Sequence, residues 1–217
     1  MGRVEPVRLI AWSDYLCPWC YNAAVRLQRI EEEFGDAVQV EWRSYLLRPS
    51  PAGRRDLERF RAYTQSWLRP AAEEDSGVFQ PWQTDVGPPT HSVPPHQVAK
   101  AAAELGEAAF RRIHERLLRA YFAENQDITA AETLERLWLE VGLPHEGFAR
   151  REDQALLQRI FDEHRKALDG GASGVPATCV QGNDVIIVGA FPVEFYQRWV
   201  NRALAARAEE ADVPSQA

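Results

Sequence analysis

Cys17 and Cys20, separated only by Pro18 and Trp19, are the residues of this chain best equipped for chemistry. A thiolate that attacks a disulfide sulfur forms a mixed disulfide, which a second thiol can resolve. A two-residue spacer at a helix start sets the second sulfur one turn from the first, within bonding reach. A helix start also leaves free N–H groups and the positive end of the macrodipole beside residue 17, and both favour a thiolate there. Cys17 is therefore the expected nucleophile and Cys20 the resolving thiol. Pro18 suits the first helical position, where no backbone donor is missed. Trp19 supplies an apolar, partly exposed ring beside the sulfurs.

A C-x-x-C pair can also be half of a metal site. Zinc needs four ligands, and the chain has three cysteines and no second C-x-x-C, so no metal site is expected. Cys179 falls in the alternating part of a strand-like segment and reads as core. The five histidines, His91, His96, His114, His145 and His164, are scattered and read as surface or helix-face residues. His96, at a proline-broken helix start, is a candidate to line a cleft.

The elements that must position the pair follow from periodicity. Val7–Trp12 is a short apolar run and reads as a buried strand. Ala23, Ala24, Leu27, Ile30 and Phe34 recur at three- and four-residue steps, with Arg26, Arg29 and Glu31–Glu33 on the outer face and Gly35 as the stop. Val38, Val40 and Trp42 alternate with polar residues, a strand of period two. Residues 49–95 hold more than half of the chain's fourteen prolines, so helix there must be short and broken. From Gln97 to about Leu168 the pattern is helical. Thr129 and Glu132 fit a capping box for the helix through Leu134, Leu137, Trp138 and Val141. Ala177–Val180 and Val185–Val188 flank Gly182-Asn183 as a hairpin. A last helix begins near Pro192, and the tail after Glu209 is expected to fray.

The 217 residues suffice for one domain, or for one domain with a large insertion. The order reads strand, C-x-x-C, helix, strand, helical segment, X-Pro, hairpin, helix. A 45% hydrophobic and 26% charged composition is that of a soluble globular chain. A net charge of −7, with no basic stripe, argues against nucleic acid as a partner. No apolar run approaches a membrane span, and the N-terminus carries no secretory core, so the cytoplasm is the expected compartment.

The stretch Trp12-Ser13-Asp14-Tyr15-Leu16-Cys17-Pro18-Trp19-Cys20-Tyr21 resembles the DsbA-like thioredoxin-fold superfamily, and within it the FrnE-like branch. Ala120-Tyr121-Phe122 with Asp127-Ile128, Gly174-Val175-Pro176 and Val188-Gly189-Ala190 match the same pattern, so the likeness spans nearly the whole chain. It implies an α/β thioredoxin fold with a mixed central sheet, formed by residues 1–48 and 170–208. An all-helical insertion over 49–169 and a flexible tail at 209–217 complete the organisation. It also implies a cis Val175–Pro176 peptide, with Pro176 packed against the sulfurs and the Val175 backbone free to pair with a substrate. Trp19, Val175 and Pro176 are thus the substrate-binding candidates, and Pro18, Asp14 and His96 the supporting ones. Trp19 stands where periplasmic DsbA has His, so a milder oxidant is expected. Ala11 occupies the place of a buried carboxylate found in many relatives. Asp14 is nearer the motif and reads as a turn or edge residue.

The function implied is thiol–disulfide exchange on a disulfide-containing protein or small molecule. No cofactor is expected beyond the Cys17–Cys20 pair, glutathione is a possible co-substrate, and the assembly is a monomer or homodimer. Two rival classes remain. A glutathione-dependent isomerase or kappa-class transferase acting on small electrophiles would keep activity in Cys20→Ser. A redox-inert interaction module would be indifferent to loss of Cys17.

Overall fold

The computed structural model describes residues 5–51, 53 and 56–212. The apolar run at the start becomes β1 (Val7–Ser13), which pairs in parallel with β2 (Val38–Ser44) so that Val7 faces Val38 and Ser13 faces Ser44. A parallel pair requires a crossover, and α1 (Pro18–Phe34) supplies it. On its other side β1 runs antiparallel to β3 (Ala177–Val180), which pairs with the two-residue β4 (Ile187–Val188). The sheet order is β2-β1-β3-β4, a mixed sheet with β1 in its interior.

Both faces of β1 are covered. Val7, Leu9 and Ala11 pack with Leu27 and Ile30 of α1 and with Val193, Tyr196 and Val200 of α9 (Val193–Asp212). Ile10 and Trp12 point the other way, onto Tyr45, Ala172, Cys179 and Ala167 of α8 (Gln154–Asp169). Each large aliphatic side chain fully buried here stabilises the fold by about 1.5–3 kcal/mol.

Between β2 and β3 the described residues contain helices only: α2 (Leu57–Thr64), α3 (Leu68–Ala71), α4 (Val93–Glu104), α5 (Glu107–Phe122), α6 (Ala131–Glu140), α7 (His145–Phe148) and then α8. Their shared core is aromatic, with Phe60, Trp67, Trp82, Tyr121, Phe122 and Trp138 all buried. As the prolines require, α2 and α3 are short. The next helix starts at Val93, earlier than Gln97, because Pro94 and Pro95 occupy its first turn, where their missing donors cost nothing.

Several local expectations are corrected. Arg26 and Glu31 do not lie on the outer face of α1: Arg26 is 1% exposed, and Glu31 is buried with its carboxylate accepting from the Val40 N–H. The capping box at Thr129 does not form. Thr129 gives its hydroxyl to Asp127, and Ala130 caps α6 without a side-chain bond. The second hairpin strand is only Ile187–Val188, because the Asn183 side chain accepts from the Val185 N–H and holds that residue in the turn. The last helix continues past Glu209 to Asp212; residues 213–217 lie outside the described set.

Candidate active site

Residues 14–17 turn the chain from β1 into α1. The Cys17 N–H donates to the Asp14 carbonyl at 3.1 Å, and Cys17 caps α1 in an extended conformation, with Pro18 first in the helix. Cys17 has no side-chain cap bond; its Sγ lies 3.4 Å from the Val175 carbonyl oxygen. The Val175–Pro176 peptide is cis. Cys20 sits one turn behind and is fully buried, its N–H donating to the Cys17 carbonyl at 3.0 Å. Both are free thiols. Burial, reinforced by Cys17 alongside, pushes the Cys20 thiol well above its ordinary pKa, while the Asp14 amide and the Ser13 hydroxyl pull it back. Cys17 is 6% exposed, so the arrangement sets one nearly covered sulfur at the helix start and the second, fully buried, one turn behind it.

Asp14 is a turn residue but not an edge residue; it is fully buried. Its Oδ1 accepts from the Leu16 N–H at 2.6 Å and its Oδ2 from the Leu47 N–H at 2.7 Å. Its own N–H donates to Cys20 Sγ at 3.5 Å. Burial raises the carboxyl pKa to about 6, against the pull of Ser92, Leu47, Leu16 and Arg48. Arg48 and Ser92 are bonded to each other through both backbone and side chain, so the turn is tied to the start of α4.

The helix that carries the cysteines is itself anchored by buried polar groups. Arg26 donates to the carbonyls of Ala190, Phe191 and Glu74, at 2.9, 3.2 and 2.7 Å. Asn22 donates to the Pro70 carbonyl and accepts from the Gly77 N–H. Gly77 is forced at that position, since a Cβ there would meet the Tyr21 ring at 2.4 Å.

Pro18 and Trp19 are half-buried beside the sulfurs, and Val175 is half-buried opposite them. His96 does not line an open cleft. It is buried, its Nε2 is 3.1 Å from the Tyr45 carbonyl oxygen, its ring meets Tyr15 edge-on, and burial lowers its pKa to about 3. His114 is also buried rather than on a surface, with Nδ1 2.8 Å from the Tyr15 hydroxyl. Cys179 is buried in the sheet core, which raises its thiol pKa. Among the described residues no group of three or more His, Cys, Asp or Glu side chains is placed to hold a metal ion, and no helix is long and apolar enough to cross a membrane.

Sequence alone assigns no role to Ser13 or Asn22, and it sets Arg26 and His114 only on an outer or helix face. Ser13 and Asn22 flank the motif closely enough to have been suspected. Arg26 and His114 have no local signal, because their partners lie far away in the chain.

Residues 8–201 match the family model of the DSBA-like thioredoxin domain. YwbO of Bacillus subtilis (strain 168), itself uncharacterized, is 29% identical over 209 residues, 90% of this chain and 96% of that protein. Among solved structures, a candidate protein disulfide isomerase from Nitrosomonas europaea superposes with a TM-score of 0.75 at 18% identity, covering 93% of this chain and 99% of that one. The cytosolic disulfide reductase DsbM from Pseudomonas aeruginosa superposes with a TM-score of 0.73 at 22% identity, covering 92% and 99%. DsbM has also been solved with GSH. At these identities the two structures establish a shared fold.

Proposed function

The chain belongs to the DSBA-like thioredoxin domain family, and from that premise we propose that it is a thiol–disulfide oxidoreductase working through Cys17 and Cys20. The observation that carries the reading is the placement of Cys17 Sγ at the start of α1, 3.4 Å from the Val175 carbonyl, with Cys20 buried one turn behind. In this reading the Cys17 sulfur attacks a substrate disulfide, one substrate sulfur leaves with the electron pair, and Cys20 closes the Cys17–Cys20 bond to release the other. The Val175 backbone and the Trp19 ring hold the substrate chain across the cis-Pro176 loop. Asp14 keeps the turn in shape, through Leu16 and Leu47. His96 has no contact with the pair that would give it a part.

The substrate is a protein or small disulfide, glutathione serves as a co-substrate, and the compartment is the cytoplasm. The fold shared with a cytosolic disulfide reductase that has been solved with GSH supports this choice. The test is disulfide reduction of insulin and reoxidation of reduced ribonuclease by the wild type and by Cys17→Ala. Both activities are expected to fall to background in the variant. Wild-type rates in Cys17→Ala would overturn the assignment.

A further inference from the structure

Arg26 stands on the helix that carries both sulfurs, about two and a half turns beyond Cys17. Its guanidinium is buried, yet the carboxylate paired with it, that of exposed Glu73, is 3.5 Å away. Its N–H groups go instead to main-chain carbonyls of two distant segments: Nη1 donates to Ala190 and Phe191, and Nη2 to Glu74. Nε is buried with no hydrogen-bond partner among the described residues. A buried charge paired this loosely contributes little net stability, since its desolvation offsets much of what its bonds return. What a planar fork of donors does supply is geometry, because it fixes several acceptors at once.

The segment that Arg26 grips runs beside the active-site loop. β4 ends at Val188, opposite Ala177, and the next residue, Gly189, donates its N–H to the Pro176 carbonyl at 2.8 Å. The pairing of β1 with β3 stops at Trp12 and Ala177, so residues 174–176 project beyond it. Val175, in that projecting stretch, sets its carbonyl oxygen 3.4 Å from Cys17 Sγ. One connected path therefore leads from Arg26 through Ala190 and Phe191 to Gly189, Pro176 and Val175, and returns to the helix at Cys17. On the other side of the guanidinium, Arg29 pairs with Asp75 and so holds the neighbouring Glu74 carbonyl against α1.

We propose that Arg26 is a positioning residue for disulfide exchange, holding residues 189–191, and through them the Val175–Pro176 loop, at a fixed distance from Cys17. The proposal rests on the thiol–disulfide reading above. Arg26 touches neither the sulfurs nor a substrate; it acts through the Ala190 and Phe191 carbonyls. A disulfide carried in a polypeptide must lay its backbone along Val175 while Cys17 attacks, so its binding depends on where that loop stands. A small disulfide has no such backbone and is indifferent to the loop. Lysine is no equivalent here, because a single ammonium lacks the fork that reaches both segments together.

The test is a single turnover of the reduced full chain with excess insulin, read as loss of protein thiols by quenched alkylation over a range of insulin concentrations. Wild type, Arg26→Met and Arg26→Lys are compared, each checked for folding by circular dichroism. The half-saturating insulin concentration is expected to rise about tenfold in Arg26→Met and about threefold in Arg26→Lys, the scale of a lost hydrogen bond. The limiting rate, and the rate with the small disulfide dithiobis(nitrobenzoate), are expected to hold to within about twofold. Arg26→Lys keeps the buried charge and carries the test by itself should Arg26→Met fail to fold. An unchanged half-saturation in the folded variants overturns the proposal. So does an equal slowing toward insulin and the small disulfide, which is what a merely structural role predicts. A wild type that keeps its Cys17 and Cys20 thiols in the presence of both disulfides would instead overturn the thiol–disulfide reading itself.

Discussion

β1 enters the fold between two dry layers and leaves it among buried polar groups. Its first residues, Val7 and Leu9, are held by aliphatic contacts with α1 and α9. The turn after its last residue, Ser13, is held by Asp14, which accepts from Leu16 and Leu47, and Ser44, which pairs with Ser13 at the end of β2, gives its N–H to Glu163 at 2.7 Å. Glu163 is paired in turn with Lys100 at 2.6 Å, both side chains nearly excluded from solvent. Apolar burial is non-directional and tolerates small changes of shape. Buried hydrogen bonds fix atoms to within tenths of an ångström and are costly to leave unmade. The molecule thus spends its aliphatic core on stability and its buried polar groups on placing two sulfurs.

Breaking the polar end should have the larger effects. Among the described residues, Lys100→Ala leaves the Glu163 carboxylate with only Arg159, at 3.0 Å, and the Ser44 N–H as partners, and is expected to cost about 1–3 kcal/mol in urea denaturation. A loss below about 1 kcal/mol would contradict the role given to this pair. Asp14 offers a pH test. Burial raises its pKa from 3.8 to about 6, so the folded chain binds this proton more tightly than the unfolded chain does. The resulting stability is full below about pH 3.8 and is lost as pH rises through about 6, a difference of about 3 kcal/mol. Stability curves of wild type and Asp14→Asn should therefore diverge between pH 4 and 7; parallel curves would refute the burial argument. At the dry end, Ile30→Val should cost only about 0.5–1.5 kcal/mol and leave the rate of disulfide exchange unaltered. A slowed exchange in that variant would erase the contrast between the two ends.

The same contrast explains what could be read from the sequence. Alternation in Val38, Val40 and Trp42 and the three-to-four spacing from Ala23 to Phe34 found β2 and α1, because apolar faces leave a periodic trace. Arg26 was misplaced for the opposite reason. A charged side chain predicts an exposed face unless its partners are known, and the Ala190 and Phe191 carbonyls lie more than 160 residues away. Thr129 failed as a cap because Asp127, two residues earlier, takes its hydroxyl. The spacing of the cysteines predicts their place at a helix start, where the structure has them, while their reading as a redox pair needed the Gly-Val-Pro and the hairpin as well. Asp14 was legible as a supporting turn residue, but its burial and its bond to Leu47 were not, since that bond joins two turns that nothing local relates.

The division of labour between the sulfurs can be tested by trapping. Cys20→Ser is incubated with a disulfide substrate, and the adduct is mapped by mass spectrometry of non-reduced peptides. A substrate-sized mixed disulfide on Cys17, absent when the wild type is treated in the same way, is the predicted result. An adduct on Cys179, or none at all, would contradict the assignment of Cys17 as the attacking sulfur.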